Sequence, residues 1–260
     1  MQRSVLLLLP LVLGTGCVLT PQSYWVPDTF VVERVDYSGW DGLLREHVHR
    51  GRVDYGAISR DARFQEFIET LRRGRFTRET TREQRLAFLI NGYNALTIDG
   101  ILKGGSPSTG LGRYDFFWRT RHRIAGEAIT LQDLEQVRIR PFGEPRIHFA
   151  IVCASASCPA LRPEAYVPER LEAQLRDATE SFIGDPSRNR FETVSRTARV
   201  SAIFDWYEDD FTAAHASISA YLSLFVRDPE LARGLASGAW KIRFRRYDWS
   251  LNGAVPPAAE

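Results

Sequence analysis

A helix that is apolar nearly all round most strongly constrains how this chain folds. Thr81 and Gln84 form a capping box, and Gly104 follows the last apolar turn, which predicts one helix from about Thr81 to Lys103. Its apolar residues are not confined to one stripe: Leu86, Phe88, Leu89, Ile90, Tyr93, Leu96, Ile98, Ile101 and Leu102. A helix of this kind is stable only inside a protein, so the fold is expected to be built around it.

The remaining hydrophobic periodicities predict an α+β fold that is mainly helical, with a modest sheet. No linker, repeat or composition break interrupts the chain, so residues 36–253 are expected to form a single domain. The further helices are expected over 61–73, 130–138 and 168–183. The strands are expected over 146–153, over 190–194 and 198–204 as a hairpin, and over 240–246.

Composition excludes several classes of protein. The chain has 34 Lys and Arg against 32 Asp and Glu, a balance that does not favour nucleic acid as a partner. Its hydrophobic content of 44% excludes global disorder. Three cysteines in 260 residues also exclude a small disulfide-stapled scaffold.

The first residues have the pattern of an export signal rather than of a folded segment. A basic Arg3, an apolar run ending at Leu13 and small residues before Cys17 predict a signal peptide over 1–16. The run is too short to span a bilayer. Cys17 then resembles the lipid-bearing cysteine of a bacterial lipoprotein, with residues 17–35 as a lipidated tether and 254–260 as a disordered tail. The alternative is an ordinary signal peptide that is cut nearby.

This interpretation makes the membrane a partner through the lipid anchor. Val18, rather than Asp, follows the cysteine, which resembles the sorting signal for the outer membrane. The sequence therefore predicts an outer-membrane lipoprotein of a bacterial cell envelope, facing the periplasm or the outside. No later stretch is long and apolar enough to span a membrane.

Four ordered stretches have polar residues where an ordinary core would not place them: 88–98, 146–166, 204–211 and 247–252. Together they resemble the domain-of-unknown-function family 547, over roughly Tyr37 to Asn252. The resemblance implies little about activity, although some eukaryotic members carry a glutaredoxin-like domain, which points to thiol chemistry only by association.

Two cysteines close to the expected 146–153 strand are the main candidates for chemistry. Cys153 is the candidate catalytic nucleophile, but a Cys153–Cys158 disulfide and a pair of unreactive buried thiols remain alternatives. Strand alternation places His148 on the face opposite Cys153, which argues against His148 as its base. The spacing of these three residues fits no standard zinc pattern, and there is no C-x-x-C motif for a thiol–disulfide oxidoreductase.

Several other polar residues are candidates for binding. Asn91 and Asn94 lie three positions apart on the apolar helix, where they either face a ligand or bond the backbone of a neighbouring loop. Arg162 and Asp248 form either an ion pair or a clamp for an anionic group. Asp210 is the preferred candidate among the carboxylates of 205–210, which alternatively complement a helix dipole.

Two functional classes therefore remain open, and whether the chain is an enzyme is uncertain. One is thiol-dependent acyl transfer or hydrolysis on a peptide or another envelope substrate, with Cys153 as nucleophile, a histidine as base and an amide such as Asn91 as orienting group or oxyanion donor. The other is a non-catalytic binding or scaffold module whose Cys153–Cys158 disulfide holds a loop. Neither class involves a cofactor or a metal ion.

Overall fold

Helices dominate the part of the chain that the computed structural model describes, residues 30–254. The expected α+β architecture, mainly helical with little sheet, is confirmed. In chain order the α-helices are α1 (Ser38–His47), α2 (Tyr55–Ile58), α3 (Ala62–Arg73), α4 (Arg82–Leu102), α5 (Gly110–Tyr114), α6 (Leu131–Asp133), α7 (Leu171–Ile183), α8 (Ile203–Trp206), α9 (Glu208–Thr212), α10 (Ile218–Ser223) and α11 (Pro229–Ala236).

Short strands form small separate sheets rather than one continuous sheet. The strands are β1 (Phe30–Val31), β2 (Val48–His49), β3 (Arg52–Asp54), β4 (Gly74–Arg75), β5 (Arg121–Ile124), β6 (Glu127–Thr130), β7 (Arg190–Glu192), β8 (Thr197–Val200), β9 (Lys241–Phe244) and β10 (Gly253–Ala254). β4 pairs with β1 in parallel, β5 and β6 form a hairpin, and β3 lies between antiparallel β2 and parallel β10. In the last sheet, β8 lies between antiparallel β7 and parallel β9.

Helix α4 is the central helix that the sequence predicts. The Thr81 hydroxyl accepts from the Gln84 amide at 3.2 Å, and the Gln84 side chain accepts from the Thr81 amide at 2.9 Å. Every residue from Leu86 to Ile101 is buried. A Cβ at Gly92 would lie 2.4 Å from the Ile124 side chain, so only glycine lets the β5–β6 hairpin pack this closely.

Most of the other predicted elements are also present. Asp61 caps α3, and α7 follows a 3₁₀ turn at Pro168–Arg170 and ends at Gly184. β7 and β8 pair as the expected hairpin, although β8 ends at Val200. The segment after Thr130 continues beyond α6 as a π-helical turn, Leu134–Ile139.

The predicted strand over 146–153 is wrong. Pro145–Phe149 is a 3₁₀ turn, and the chain then continues into a loop. A short apolar run does not distinguish a buried strand from another buried segment, and Pro145 favours the first turn of a helix. The argument that His148 and Cys153 point in opposite directions depended on this strand and no longer applies.

Buried residues form two hydrophobic clusters. The larger one surrounds α4 and is completed by α1, α3 and the β5–β6 hairpin. The smaller one packs α7 against α9 and α10 through the aromatic rings of Phe149, Phe182, Phe204 and Phe211. Phe149 follows directly after His148, so this cluster holds the segment that leads to the cysteines.

The predictions for the two ends fall largely outside the described residues. The signal peptide 1–16, Cys17 and most of the tether lie there, as do residues 255–260 of the tail. Within the described residues, Phe30–Arg34 forms β1 and a 3₁₀ turn with Val32 buried, and Ala254 lies in β10. None of the helices in 30–254 combines the length and the apolarity needed to cross a membrane.

Candidate active site

The cysteine loop, residues 153–158, is held against the C-terminal segment, residues 247–252. Ala156 donates to the Ser250 carbonyl at 2.7 Å, Asn252 donates to the Ala154 carbonyl at 3.0 Å, and Ser155 forms a β-bridge with Leu251. Ala154 adopts a φ of 60°, in the left-handed region, which turns the backbone sharply after Cys153. The second and fourth sequence motifs are thereby joined into one structural unit.

Two hydroxyl groups lie next to the Cys153 sulfur. Its Sγ atom lies 3.0 Å from Ser155 Oγ and 3.2 Å from Tyr247 Oη, and Ser155 Oγ donates to Tyr247 Oη at 3.1 Å. The Cys153 amide donates to Cys158 Sγ at 2.8 Å. Both cysteines are free thiols in this structure; Cys153 is partly exposed and Cys158 is buried.

These contacts shift the pKa values of the two thiols in opposite directions. Burial raises the pKa of Cys153, but hydrogen bonds with Cys158, Ser155 and Tyr247 outweigh it and lower the pKa to about 7. Burial raises the pKa of Cys158 well above its ordinary value, and the adjacent Cys153 raises it further. Cys153 therefore supplies a thiolate near neutral pH while Cys158 stays protonated, and only the thiolate is a strong nucleophile.

Cys153 opens into a cavity of about 410 Å³ with aromatic and polar walls. The size fits a small ligand or one segment of a larger substrate. The side chains that line it include Tyr93, Arg113, Phe117, Trp118, Gln132, Glu135, Gln136, Arg140, His148, Ile151, Cys158, Pro159, Trp206, Tyr207, Tyr247 and Trp249.

His148 lines the same cavity and is held from two sides. Its Nε2 atom lies 2.7 Å from Asp210 Oδ2, and its ring stacks on Tyr207 at a centroid distance of 3.8 Å. Asp210 also accepts two bonds from Arg140, at 2.8 and 2.7 Å. Burial raises the pKa of Asp210, but the bonds from His148 and Arg140 outweigh it, so the pKa is lowered and the carboxylate persists.

A carboxylate that orients an imidazole in this way is the second half of a nucleophile–base–orienter arrangement. Among the described residues, His148 makes no hydrogen bond to the Cys153 sulfur, so a proton between them would pass through a ligand or a water molecule. Asp210, one of the candidates from the sequence, thus contacts the site by its hydrogen bond to His148.

Glu135 is a buried carboxyl group in the cavity wall, 6% exposed. Burial raises its pKa, and the hydrogen bond from Tyr207 and the charges of His148 and Arg140 oppose this only in part. It also accepts from Gln136 Nε2 at 3.2 Å. A carboxyl group that stays protonated to higher pH is able to donate a proton to a leaving group.

The two asparagines of α4 hold backbone segments and do not line the cavity. Asn91 accepts from the Tyr166 amide at 3.0 Å and donates to the Tyr166 carbonyl at 2.6 Å. Asn94 donates to the Ala150 carbonyl and accepts from the Val152 amide, both at 2.9 Å. Of the two alternatives, the geometry therefore favours bonds to neighbouring backbone, and Asn94 fixes the path of the chain just before Cys153.

Arg162 and Asp248 do not pair with each other. Arg162 binds Glu164 and Asp177, at 2.5 Å for Asp177, away from the cavity. Asp248 caps the Ser250 amide at 2.9 Å. The expected clamp for an anion is therefore absent at these residues, because local carboxylates already neutralise the Arg162 guanidinium.

Sequence reasoning did not identify Glu135, Tyr247 or Arg113 as parts of a site. A signal existed for Glu135, since it lies four residues after Leu131 and so shares the buried face of its helical segment. Tyr247 lay within a recognised motif, but only the fold brings it to Cys153. For Arg113 the sequence contains no signal, because the chain has many arginines in polar loops.

One group of side chains within residues 30–254 has the spacing of metal ligands. The ligand atoms of Glu46, His47 and Asp61 lie within 4.8 Å of one another. Arg63 donates to both carboxylates, at 2.7 Å for Glu46 and 2.5 Å for Asp61. The guanidinium thus supplies the positive charge that these carboxylates bind.

These features define an α+β domain in which a thiol pair lies in an aromatic cleft. Residues 77–183 match the family described as protein of unknown function, DUF547, which supports the expected resemblance to that family over this segment. The match includes α4 and the cysteine loop, but it is shorter than the expected 37–252 and leaves out Asp210 and Tyr247. No curated protein and no solved structure matches the chain.

Proposed function

We propose that this protein is a thiol-dependent acyl transferase or hydrolase with Cys153 as its nucleophile. The observation that carries the proposal is a partly exposed thiol in a cavity, with two hydroxyl groups on its sulfur and a pKa lowered to about 7. A structural cysteine has no need of a stabilised thiolate, whereas a nucleophile does.

The chemical steps follow from the groups around the sulfur. The Cys153 thiolate attacks the acyl carbon and forms a C–S bond, and the bond to the leaving group breaks as that group takes a proton from the cavity. Water or an amine then attacks the thioester, loses a proton to the cavity, and releases the acyl product and the thiolate. Hydrolysis and transfer differ only in this second nucleophile.

His148 and Glu135 are the groups that exchange these protons. Asp210 fixes the His148 ring, so the imidazole is positioned to take a proton from the attacking water. Glu135, whose pKa burial raises, is positioned to protonate the leaving group. Strand alternation does not argue against His148 as the base, because residues 146–153 do not form a strand.

The substrate class and location that we propose come from the sequence of the first residues. The export pattern before Cys17 supports a lipid-anchored protein of a bacterial cell envelope, most simply at the outer membrane. A protein held there meets peptide-containing envelope polymers. The ring-lined cleft is compatible with a peptide-like acyl substrate.

The test is acylation of the reduced full-length protein by p-nitrophenyl acetate. We expect a burst of one nitrophenolate per protein, with the acetyl group mapped to Cys153 by mass spectrometry, followed by slow turnover. Cys153→Ser should abolish the burst, and Cys17→Ser, which removes the third cysteine of the chain, should leave it intact. His148→Gln should retain the burst but slow turnover by about 100-fold, a typical contribution of a general base. Equal turnover by the wild type and Cys153→Ser would contradict the proposal.

A non-catalytic module with a Cys153–Cys158 disulfide is the second candidate. The observation in its favour is the 2.8 Å contact between the Cys153 amide and the Cys158 sulfur, which shows that the loop brings the two cysteines together. Exported proteins meet an oxidising compartment. If this candidate is right, protein isolated without reductant is two mass units lighter than the thiol form, and reduction lowers its melting temperature without creating acylation activity.

A further inference from the structure

Arg113 lies at the cavity wall with its charge unpaired within residues 30–254. It belongs to α5, it is half-buried, and its guanidinium lies over the Trp249 ring at 4.3 Å from the centroid. It donates to the Pro107 carbonyl at 3.3 Å, a neutral group. No carboxylate of the described residues lies within salt-bridge distance of it.

The other charged groups of the cavity differ from Arg113 in this respect. Arg140 is neutralised by two hydrogen bonds to Asp210. Glu135 is buried, and burial favours its uncharged form. An unpaired cation in a partly enclosed, ring-lined cleft attracts an anionic ligand and orients it.

A row of aromatic rings joins Arg113 to the thiol. The Trp249 ring packs against Tyr247 at 4.6 Å and against Trp206 at 5.7 Å, and the Tyr247 hydroxyl lies 3.2 Å from Cys153 Sγ. This wall is aromatic: the Trp249 ring lies at 19° to Trp206 and at 51° to Tyr247, with a cation at one end and the nucleophile at the other. A ligand lying along it would therefore have an anionic group at one end and its electrophilic carbon at the other.

We infer that the substrate of the proposed reaction is an acyl compound with a free carboxylate, and that Arg113 binds this carboxylate while the Trp249–Tyr247 wall directs the acyl carbon to Cys153. The inference rests on the proposed function and specifies its substrate class. A carboxylate fits best, because a guanidinium presents its N–H donors in a planar fork, and a planar carboxylate accepts them in pairs.

The test compares two thiol probes on the reduced full-length protein: 6-maleimidohexanoic acid and its primary amide. They differ only in the charge at the end of a flexible chain, and neither requires catalysis. We expect Cys153 to react with the acid about tenfold faster than with the amide, relative to the same rate ratio for N-acetylcysteine, as one charge-assisted hydrogen bond allows. Sodium chloride should reduce this preference.

Substitutions test whether Arg113 causes the preference of Cys153 for the acid probe. Arg113→Gln should remove the preference and Arg113→Lys should retain part of it. Arg119→Gln is the matched control, because it removes an equal charge nearby from a residue that pairs with Asp115 outside the cavity, and it should leave the preference unchanged. The salt dependence of the wild type tests the same point should Arg113→Gln fail to fold.

The outcomes separate this inference from the proposed function. If Cys153 is reactive but shows no preference for the acid, or if Arg113→Gln keeps the preference, the carboxylate inference is overturned and the nucleophile stands. If neither probe reacts with Cys153 in the reduced folded protein, both are overturned.

Discussion

The sulfur of Cys153 lies 3.2 Å from the phenol oxygen of Tyr247, a residue 94 positions later in the chain. The contact exists because the C-terminal segment pairs with the cysteine loop through Ser155 and Leu251. Its consequence is chemical, since a hydroxyl that donates to sulfur stabilises the thiolate over the thiol. The contact therefore links the pairing of two distant segments to the reactivity of one atom.

The first prediction concerns this hydroxyl. Tyr247→Phe removes the donor and keeps the ring, so the pH midpoint of Cys153 alkylation by iodoacetamide should rise by about one pH unit, the equivalent of a single charge-assisted hydrogen bond. Tyr114→Phe removes a hydroxyl from an exposed ring and is the control. If the two variants share the wild-type midpoint, the Tyr247 contact does not stabilise the thiolate.

The second prediction concerns the pH dependence of stability. Folding lowers the pKa of Cys153 from its ordinary value of 9.0 to about 7, so between these values the unfolded chain binds more protons than the folded protein. The free energy of unfolding should therefore rise with pH from 7 to 9 in the reduced wild type. Above this window, the raised pKa of Cys158 acts in the opposite direction.

Urea unfolding of the wild type and of Cys153→Ala, both reduced, measures this effect. The difference in unfolding free energy should increase with pH across the window. A difference that is constant or shrinks would mean that folding does not lower the pKa of Cys153.

The third prediction concerns anchoring, and it comes from the sequence alone. If Cys17 carries the lipid, Cys17→Ser should move the protein from the membrane fraction to the soluble fraction, because the acyl chains supply the attachment. Mass spectrometry of the mature N-terminus gives the direct readout. An unmodified Cys17 in the mature protein would exclude the lipoprotein interpretation.

The fourth prediction concerns the buried amides of α4. Asn91→Leu and Asn94→Leu should each lower the free energy of unfolding by about 1–3 kcal/mol, because their backbone partners lose their bonds inside the protein. Gln65→Leu, at an exposed position of α3, is the control. Denaturant midpoints equal to that of Gln65→Leu would show that these hydrogen bonds contribute little.

Asn94→Leu should also change the chemistry while Asn91→Leu does not. Asn94 bonds Ala150 and Val152, directly before Cys153, whereas Asn91 bonds Tyr166 beyond the loop. Alkylation of Cys153 should therefore slow only when Asn94 is replaced.

The sequence was sufficient to predict the framework but not the site. Helix α4 was predictable because its signals are local: a capping box at Thr81, continuous apolar residues and glycines after its end. The strand predicted over 146–153 is wrong because a short apolar run also suits a buried turn. Pro145 starts a 3₁₀ turn here, and the Asn94 side chain bonds the backbone of Ala150 and Val152. The Asn94 bonds join residues far apart in the chain, so they leave no local pattern in the sequence.

The candidate site likewise has parts that the sequence predicted and parts that it did not. Cys153 was recognisable because reactive groups often lie on loops after structured segments. Its partners were not, since Tyr247 and His148 reach the cavity through segment pairing and ring stacking that depend on the whole fold. Arg162 and the α4 asparagines were candidates for binding from the sequence, but their partners in the fold are carboxylates for Arg162 and backbone groups for the asparagines.

The fifth prediction concerns Glu135, which contributes a carboxyl group to the cavity at a cost in stability. Folding raises its pKa, so the folded protein binds the extra proton, and the stability from this group is full at low pH and falls as pH rises through the raised pKa. Glu135→Gln removes this titration and keeps the shape. The variant should therefore gain stability relative to the wild type as pH increases from acidic to mildly alkaline.

If Glu135 is the proton donor of the proposed reaction, the same substitution should slow release of a poor leaving group, such as an alkylamine. Release of nitrophenolate, which needs no proton, should be unaffected. Equal slowing with both substrates would indicate that Glu135 shapes the cavity rather than donating a proton. If the difference in unfolding free energy between Glu135→Gln and the wild type does not change with pH, burial does not perturb the pKa of this carboxyl group.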